Sequence, residues 1–225
     1  MPRRLNERAV EYAFVFHHLG RLAPRTVLDV GTGTTALPAL LDTCGYDVTA
    51  IDNVTDYWPK GMENKHWDVL DDDIRAPKLE GQFDAVVCVS VIEHILEYYQ
   101  ALDGLAKLTK PGGHIIMTCP YNTSIGSENC YSLEGSYGKK HPYICRQLTR
   151  PALSQWLERS GVRIVAQEWW QVFDSDVWSV GKLIQPPEPA GATDLHQHTC
   201  LLLKKGDENV CSCRLRRNDS GSRFP

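Results

Sequence analysis

Apolar positions in this chain fall into two periods, and the alternation of those periods predicts its elements. Residues 6–20, NERAVEYAFVFHHLG, space Ala9, Val10, Ala13, Phe14 and His17 at helical intervals, with Asn6 as the expected cap and Gly20 as the expected stop. Residues 26–30, TVLDV, form a short, mostly apolar run, the pattern of a central parallel strand covered on both faces. A helix is predicted from residue 34 to about 43, with Pro38 near its first turn and Gly45 beyond its end. Further strands are predicted over 47–51, 66–70, 83–89 and 114–119, and a helix over 95–110 that Pro111, Gly112 and Gly113 stop. Thr149 caps a last helix, ALSQWLERSG, closed by Gly161. Strands over 162–173 and 199–204 follow, joined by a proline-containing excursion from 174 to 196.

Strands alternating with helices at this spacing predict an α/β fold with a doubly wound, mostly parallel sheet. Residues 1–205 are expected to form a single domain. Within it, 120–148 lacks periodicity and is rich in Tyr, Ser, Gly and Asn, so 121–148 reads as a lid or acceptor-binding insertion. From Gly206 onward the apolar period is lost, and a disordered tail is expected over 206–225.

Composition narrows the partners. A hydrophobic share of 42% is that of an ordinary globular chain, and a net charge of −4 gives no basic field of the kind nucleic-acid binders carry. No apolar run approaches the ~20 residues of a membrane span. The first residues, MPRRLNERAVEY, lack the apolar core of a signal peptide, so a cytoplasmic location is expected. The eight cysteines are scattered without a C-x-x-C pair, which favours reduced structural thiols over a disulfide framework.

In doubly wound sheets, ligands bind beyond the carboxyl ends of the strands. That rule selects Asp29 to Gly33, Asp52, Asp68, Ser90 to His94, and Tyr121 with Asn122 as one wall. Gly31-Thr32-Gly33-Thr34-Thr35-Ala36 satisfies G-x-G-x-x-G/A, and Asp52 is the acid about 20 residues on that would hold a ribose hydroxyl pair. Taken alone this is a dinucleotide signal. The Tyr-x-x-x-Lys relay common in short dehydrogenases is missing from the sequence.

VLDVGTGTT, VTAID, WDVL, FDAVVCVSVIEH and LTKPGGHIIMTCPYN stand in the order of the motifs of class I S-adenosylmethionine-dependent methyltransferases, and the chain resembles that family over about residues 22–173. The resemblance implies a seven-stranded Rossmann-like sheet with an antiparallel last strand, and S-adenosyl-L-methionine as cofactor. It implies that Gly31, Thr32 and Gly33 pass backbone beside the cofactor, and that Asp29 faces its ammonium. Asp52, with Asn53 beside it, would take the ribose hydroxyls, Asp68 and Val69 the adenine, and Ser90 and Val91 the methionine arm.

A hydroxyl acceptor also needs a base. The candidates are His94 with Glu93 at the end of the fourth strand, and His141 with Tyr143 in the lid. Adjacent Glu93 and His94 lack metal-ligand spacing, so no metal is expected. Tyr121, Asn122 and Tyr143 are the expected acceptor contacts. The hydroxyl- and amide-rich lid points to a small-molecule acceptor methylated at oxygen, with a sugar as one reading. Methylation at nitrogen or carbon, a macromolecular acceptor, and a non-catalytic binding protein stay open, as does oligomeric state.

Overall fold

The structure, a computed structural model, describes residues 6–58, 60–139 and 141–207. In chain order the elements are α1 (Arg8–Leu22), β1 (Thr26–Val30), α2 (Leu37–Thr43), β2 (Asp47–Asp52), α3 (Val54–Tyr57), β3 (Leu70–Asp71) and β4 (Phe83–Val89). A 3₁₀ turn (Ile92–His94) precedes α4 (Tyr98–Leu108), β5 (Thr109–Asn122), β6 (Leu148–Thr149), α5 (Arg150–Ser160), β7 (Val162–Phe173), β8 (Leu183–Ala190) and β9 (His198–Lys205). None of the described helices is long and apolar enough to cross a membrane.

One sheet runs β3-β2-β1-β4-β5-β9-β7-β8, and the two-residue β6 pairs with the end of β5. β3, β2, β1, β4 and β5 are parallel, while β9 is antiparallel to both β5 and β7. The antiparallel last strand therefore lies inside the sheet. The expectation of seven strands is corrected to nine by β6 and by β8, which lies at the sheet edge beside β7. β8 carries Pro186, Pro187 and Pro189, and an edge strand tolerates prolines because one side of its backbone needs no partner.

Alternation along the strands sends successive side chains to opposite layers. Leu28, Val86, Cys88, Ile115, Met117 and Leu203 pack with Leu102 and Leu105 of α4 and Trp156 of α5. Val27, Ala85, Val87, Ile116 and Leu202 pack with Phe14, Val15 and Leu19 of α1 and Leu41 of α2. Cys88, Cys119 and Cys200 are buried free thiols, as the apolar runs around them implied.

Several boundaries move. α1 has Glu7 rather than Asn6 at its N-cap, and runs past Gly20 to a left-handed Ala23. α2 starts at Leu37, so the loop that opens at Gly31 is longer than expected. The third strand is Leu70–Asp71 rather than 66–70, because only those residues pair with Ile51 and Asp52. Thr149 does cap α5, accepting from the Ala152 N–H, and Gly161 ends it at φ 68°. Lys140, Cys211, Cys213 and the expected tail from residue 208 on lie outside the described residues.

Candidate active site

The parallel strands open into a cleft of about 460 Å³, within the ~300–1,000 Å³ usual for ligand pockets. It lies at the carboxyl ends of β1 and β4, where the strand order reverses. β1 delivers Asp29 to its floor, where the carboxylate accepts the Thr32 hydroxyl and is otherwise sealed from solvent. Burial, with the nearby charge of Asp52, raises the Asp29 carboxyl to about 7 against the Thr32 bond. An ammonium group brought to that floor would meet a carboxyl poised to ionise.

The glycine turn has two separate reasons for its residues. Gly31 sits at φ 71°, and a Cβ there would fall 2.3 Å from Val91 Cγ2, so the wall across the cleft excludes any side chain. Gly33 donates its N–H to Asp52 Oδ2 at 2.8 Å, while the Trp58 indole N–H holds Asp52 Oδ1 at 2.9 Å. The Asp52 carboxylate is thus fixed in orientation, and each oxygen keeps a lone pair for a ligand hydroxyl. Burial raises its pKa, and these two bonds oppose the rise.

On the opposite wall, β4 ends at Val89 and the chain turns through Ser90, Val91, His94, Ile95 and Leu96, all of which line the cleft. His94 Nδ1 lies 2.6 Å from the Ile144 carbonyl oxygen. A carbonyl only accepts, so Nδ1 carries the proton and Nε2 the lone pair. Burial lowers the His94 pKa, which keeps the ring neutral at pH 7. Tyr143 meets this imidazole edge to face with ring centroids 4.8 Å apart, and it too lines the cleft.

The cleft collects Asp29, Gly31, Thr32, Gly33, Asp52, Asn53, Ser90, Val91, His94 and Tyr143 from the expected set. Six expected residues lie elsewhere. Asp68 and Val69 precede the shortened β3, and the cleft is lined instead by Asp72, Asp73, Ile74 and Arg75 just after it. Glu93 is buried behind the wall, where burial lifts its carboxyl to about 8 and leaves it protonated at neutral pH. His141 is solvent-exposed and stacks on Tyr143 at 5.1 Å rather than entering the cleft. Tyr121 is buried against His196, and Asn122 is engaged with the His196 carbonyl and with the N–H groups of Ser124 and Ile125. Both are clamps between β5 and the 174–196 excursion.

Sequence reasoning missed Arg8 and Tyr12 of α1, Tyr57 and Trp58 around α3, and the 72–75 segment. One signal for α1 was legible: Glu11 stands on the same stripe as Phe14, Val15 and Leu19, an acid inside an apolar face. A family profile described as "Methyltransferase domain" matches residues 3–167, from before α1 into β7.

The chain belongs to this family. It is a class I S-adenosylmethionine-dependent methyltransferase by sequence, and its cleft occupies the switch point of that fold. A "Ubiquinone biosynthesis O-methyltransferase" of Alkalilimnicola ehrlichii is 33% identical over 113 residues, covering 47% of this methyltransferase and 45% of the relative. The protein of that name from Bordetella avium is 29% identical over 164 residues, covering 64% and 66%. This methyltransferase thus spans about half to two thirds of the length of these curated relatives. The Burkholderia thailandensis 1,6-didemethyltoxoflavin-N1-methyltransferase, solved with 1,6-didemethyltoxoflavin and S-adenosylhomocysteine, superposes with a TM-score of 0.59 at 19% identity. That alignment covers 89% of this chain and 78% of that one, and it supports the fold.

Proposed function

We propose that this methyltransferase holds S-adenosylmethionine in the β1–β4 cleft and methylates a hydroxyl of a small acceptor, with His94 as the base. The tautomer of His94 carries the reading. Its Nδ1–H is committed to the Ile144 carbonyl, and its neutral ring leaves a lone pair on Nε2, 4.0 Å from Glu93 Oε1, to take a proton.

The residues present suit the cofactor. Asp29 offers a buried carboxyl to an ammonium, Asp52 an oriented carboxylate to a ribose, and Arg8 a guanidinium beside the same floor for a carboxylate. Asp73 and Ile74 take the adenine role first expected of Asp68 and Val69, since they follow the real end of β3 and line the cleft. When bound, S-adenosylmethionine supplies an electrophilic methyl group on a sulfonium. Val91 and the Gly31 turn narrow the passage between the walls, which excludes water and aligns what lies there.

The acceptor reading shifts from a sugar to a planar hydroxyl compound. Two of the lid groups that suggested a sugar are already engaged: Asn129 accepts from the Tyr131 and Cys145 N–H groups, and Ser132 donates to the Asn129 carbonyl. What faces the cleft beside His94 is aromatic, with Tyr57 and Tyr143 rings 5.9 Å apart. Relatives named as O-methyltransferases agree with transfer to oxygen.

The test is turnover of labelled cofactor over a panel of small phenols, with His94→Ala compared to the native chain. We expect kcat to fall by about 10²–10⁴ in the variant. In the native enzyme, kcat should drop as pH falls below the ordinary histidine range, as Nε2 becomes protonated. Full turnover in His94→Ala removes the base from this position.

A further inference from the structure

We propose that Glu11 is a positioning residue for the methionyl end of the cofactor cleft, acting through Ser90. The proposal rests on the reading above that the methionine arm runs past Ser90 and Val91. Glu11 belongs to none of the motifs that mark the family, and lies on α1, outside the doubly wound core of alternating strands.

Its carboxylate is wholly buried and gathers contacts from four parts of the chain. Ser90 Oγ donates to Oε1 at 2.5 Å and Thr118 Oγ1 donates to the same oxygen at 2.6 Å. His198 Nε2 lies 3.2 Å from Oε1, and Arg8 pairs with Oε2 at 3.1 Å. Burial opposes the charge, but the His198 contact, Arg8 and the Ser90 bond outweigh it and hold the carboxyl down to about 2. Two hydroxyl donors and two ion-pair contacts thus converge on one carboxylate behind the ligand cleft, and they tie Ser90 to it.

What it fixes is a strained turn. Ser90 adopts φ 53°, a left-handed torsion that an L-residue enters only at a steric cost. The Ser90 N–H is held by the Thr118 carbonyl and hydroxyl, both at 3.1 Å, and its side chain is held by Glu11. Downstream, Val91 closes on Gly31, and the Val91 carbonyl accepts the His94 N–H at 3.0 Å. The torsion at Ser90 therefore sets the wall facing the methionine arm and the start of the turn that carries His94. Glu11 touches neither the ribose end at Asp52 nor the adenine end at Asp73.

That asymmetry gives a test that a merely structural residue fails. Affinities of S-adenosylhomocysteine and of 5′-methylthioadenosine, which lacks the amino-acid arm, are measured by calorimetry for the native chain and for Glu11→Gln. We expect the first to weaken at least about tenfold and the second to stay within about twofold. Equal losses for both ligands, or no loss for either, overturn the proposal. Should Glu11→Gln fail to fold, Ser90→Ala and Ser90→Gly read the same point. Both lose the hydroxyl that binds Glu11, but only glycine takes the left-handed torsion unaided. S-adenosylhomocysteine should weaken at least about tenfold in Ser90→Ala and less than about threefold in Ser90→Gly. Equal losses again overturn it. A native chain that binds neither ligand sinks the cofactor reading and this proposal together, whereas native binding with an indifferent Glu11→Gln sinks this proposal alone.

Discussion

At the scale of single residues, Asp29 illustrates how burial becomes function. Its carboxyl is raised to about 7 by burial, so it is largely protonated in mildly acid solution. A cofactor ammonium requires the carboxylate. Affinity for S-adenosylhomocysteine should therefore rise with pH up to about 7 and level off above it, with a limiting slope of about one log unit per pH unit. Calorimetry between about pH 5.5 and 8.5 checks this, and Asp29→Asn should flatten the profile. Stability without ligand moves the other way. The raised pKa contributes fully below the ordinary carboxylate range of about 4, and the contribution is lost as pH climbs towards 7. A pH-independent affinity would mean that Asp29 does not meet the ammonium. At this scale the sequence was readable where a motif fixed the register. Asp29, Gly31 and Asp52 stand at the ends of strands whose apolar runs leave no choice, and all three line the cleft. Asp68, expected from the WDVL motif, lies outside the cleft lining because the third strand is only Leu70–Asp71 and the wall falls on the residues just after it.

At the scale of elements, local signals decide when they are self-contained. α5 was legible from end to end because Thr149, Pro151 and Gly161 act within the helix itself. Replacing Thr149 by alanine leaves the Ala152 N–H without its side-chain acceptor, and should cost about 1 kcal/mol. Chemical denaturation would show this as a lower midpoint with an unchanged slope. A midpoint that does not move would mean the cap contributes nothing. α4 begins three residues later than its periodicity suggests because Ile92–His94 forms a separate 3₁₀ turn, and Arg75 ties Glu97, just before the helix, to Asp73. α1 shows the opposite case. Its existence was plain, but its place against the cleft depends on Glu11 meeting Ser90, Thr118 and His198, which lie 79, 107 and 187 residues away in the chain. No local period encodes partners so distant.

At the scale of the molecule, the cleft draws on α1, β1, β2, β4, the segments around α3 and after β3, and Tyr143 of the 121–148 insertion, so its occupant is linked to the stability of most of the sheet. The doubly wound, mostly parallel sheet followed from the alternation of elements. The edge strand β8 did not, since three prolines in eight residues argue against a strand anywhere but at an unpaired edge. A ligand that binds only the folded state at about 100 times its Kd stabilises it by about 2.7 kcal/mol. For a chain of this size each kcal/mol raises Tm by roughly 2–4 °C, so saturating S-adenosylhomocysteine should raise it by about 5–10 °C. NAD at the same concentration should not, because it carries no ammonium for the buried Asp29 carboxyl to meet at the floor of the cleft. A differential scan with each ligand separates the cases. A shift with NAD equal to that with S-adenosylhomocysteine would return the glycine turn to its unspecific reading, as a site for any nucleotide. A shift with S-adenosylhomocysteine alone would mean that Asp29 and the Ser90–Val91 wall, rather than the glycines between them, select the ligand.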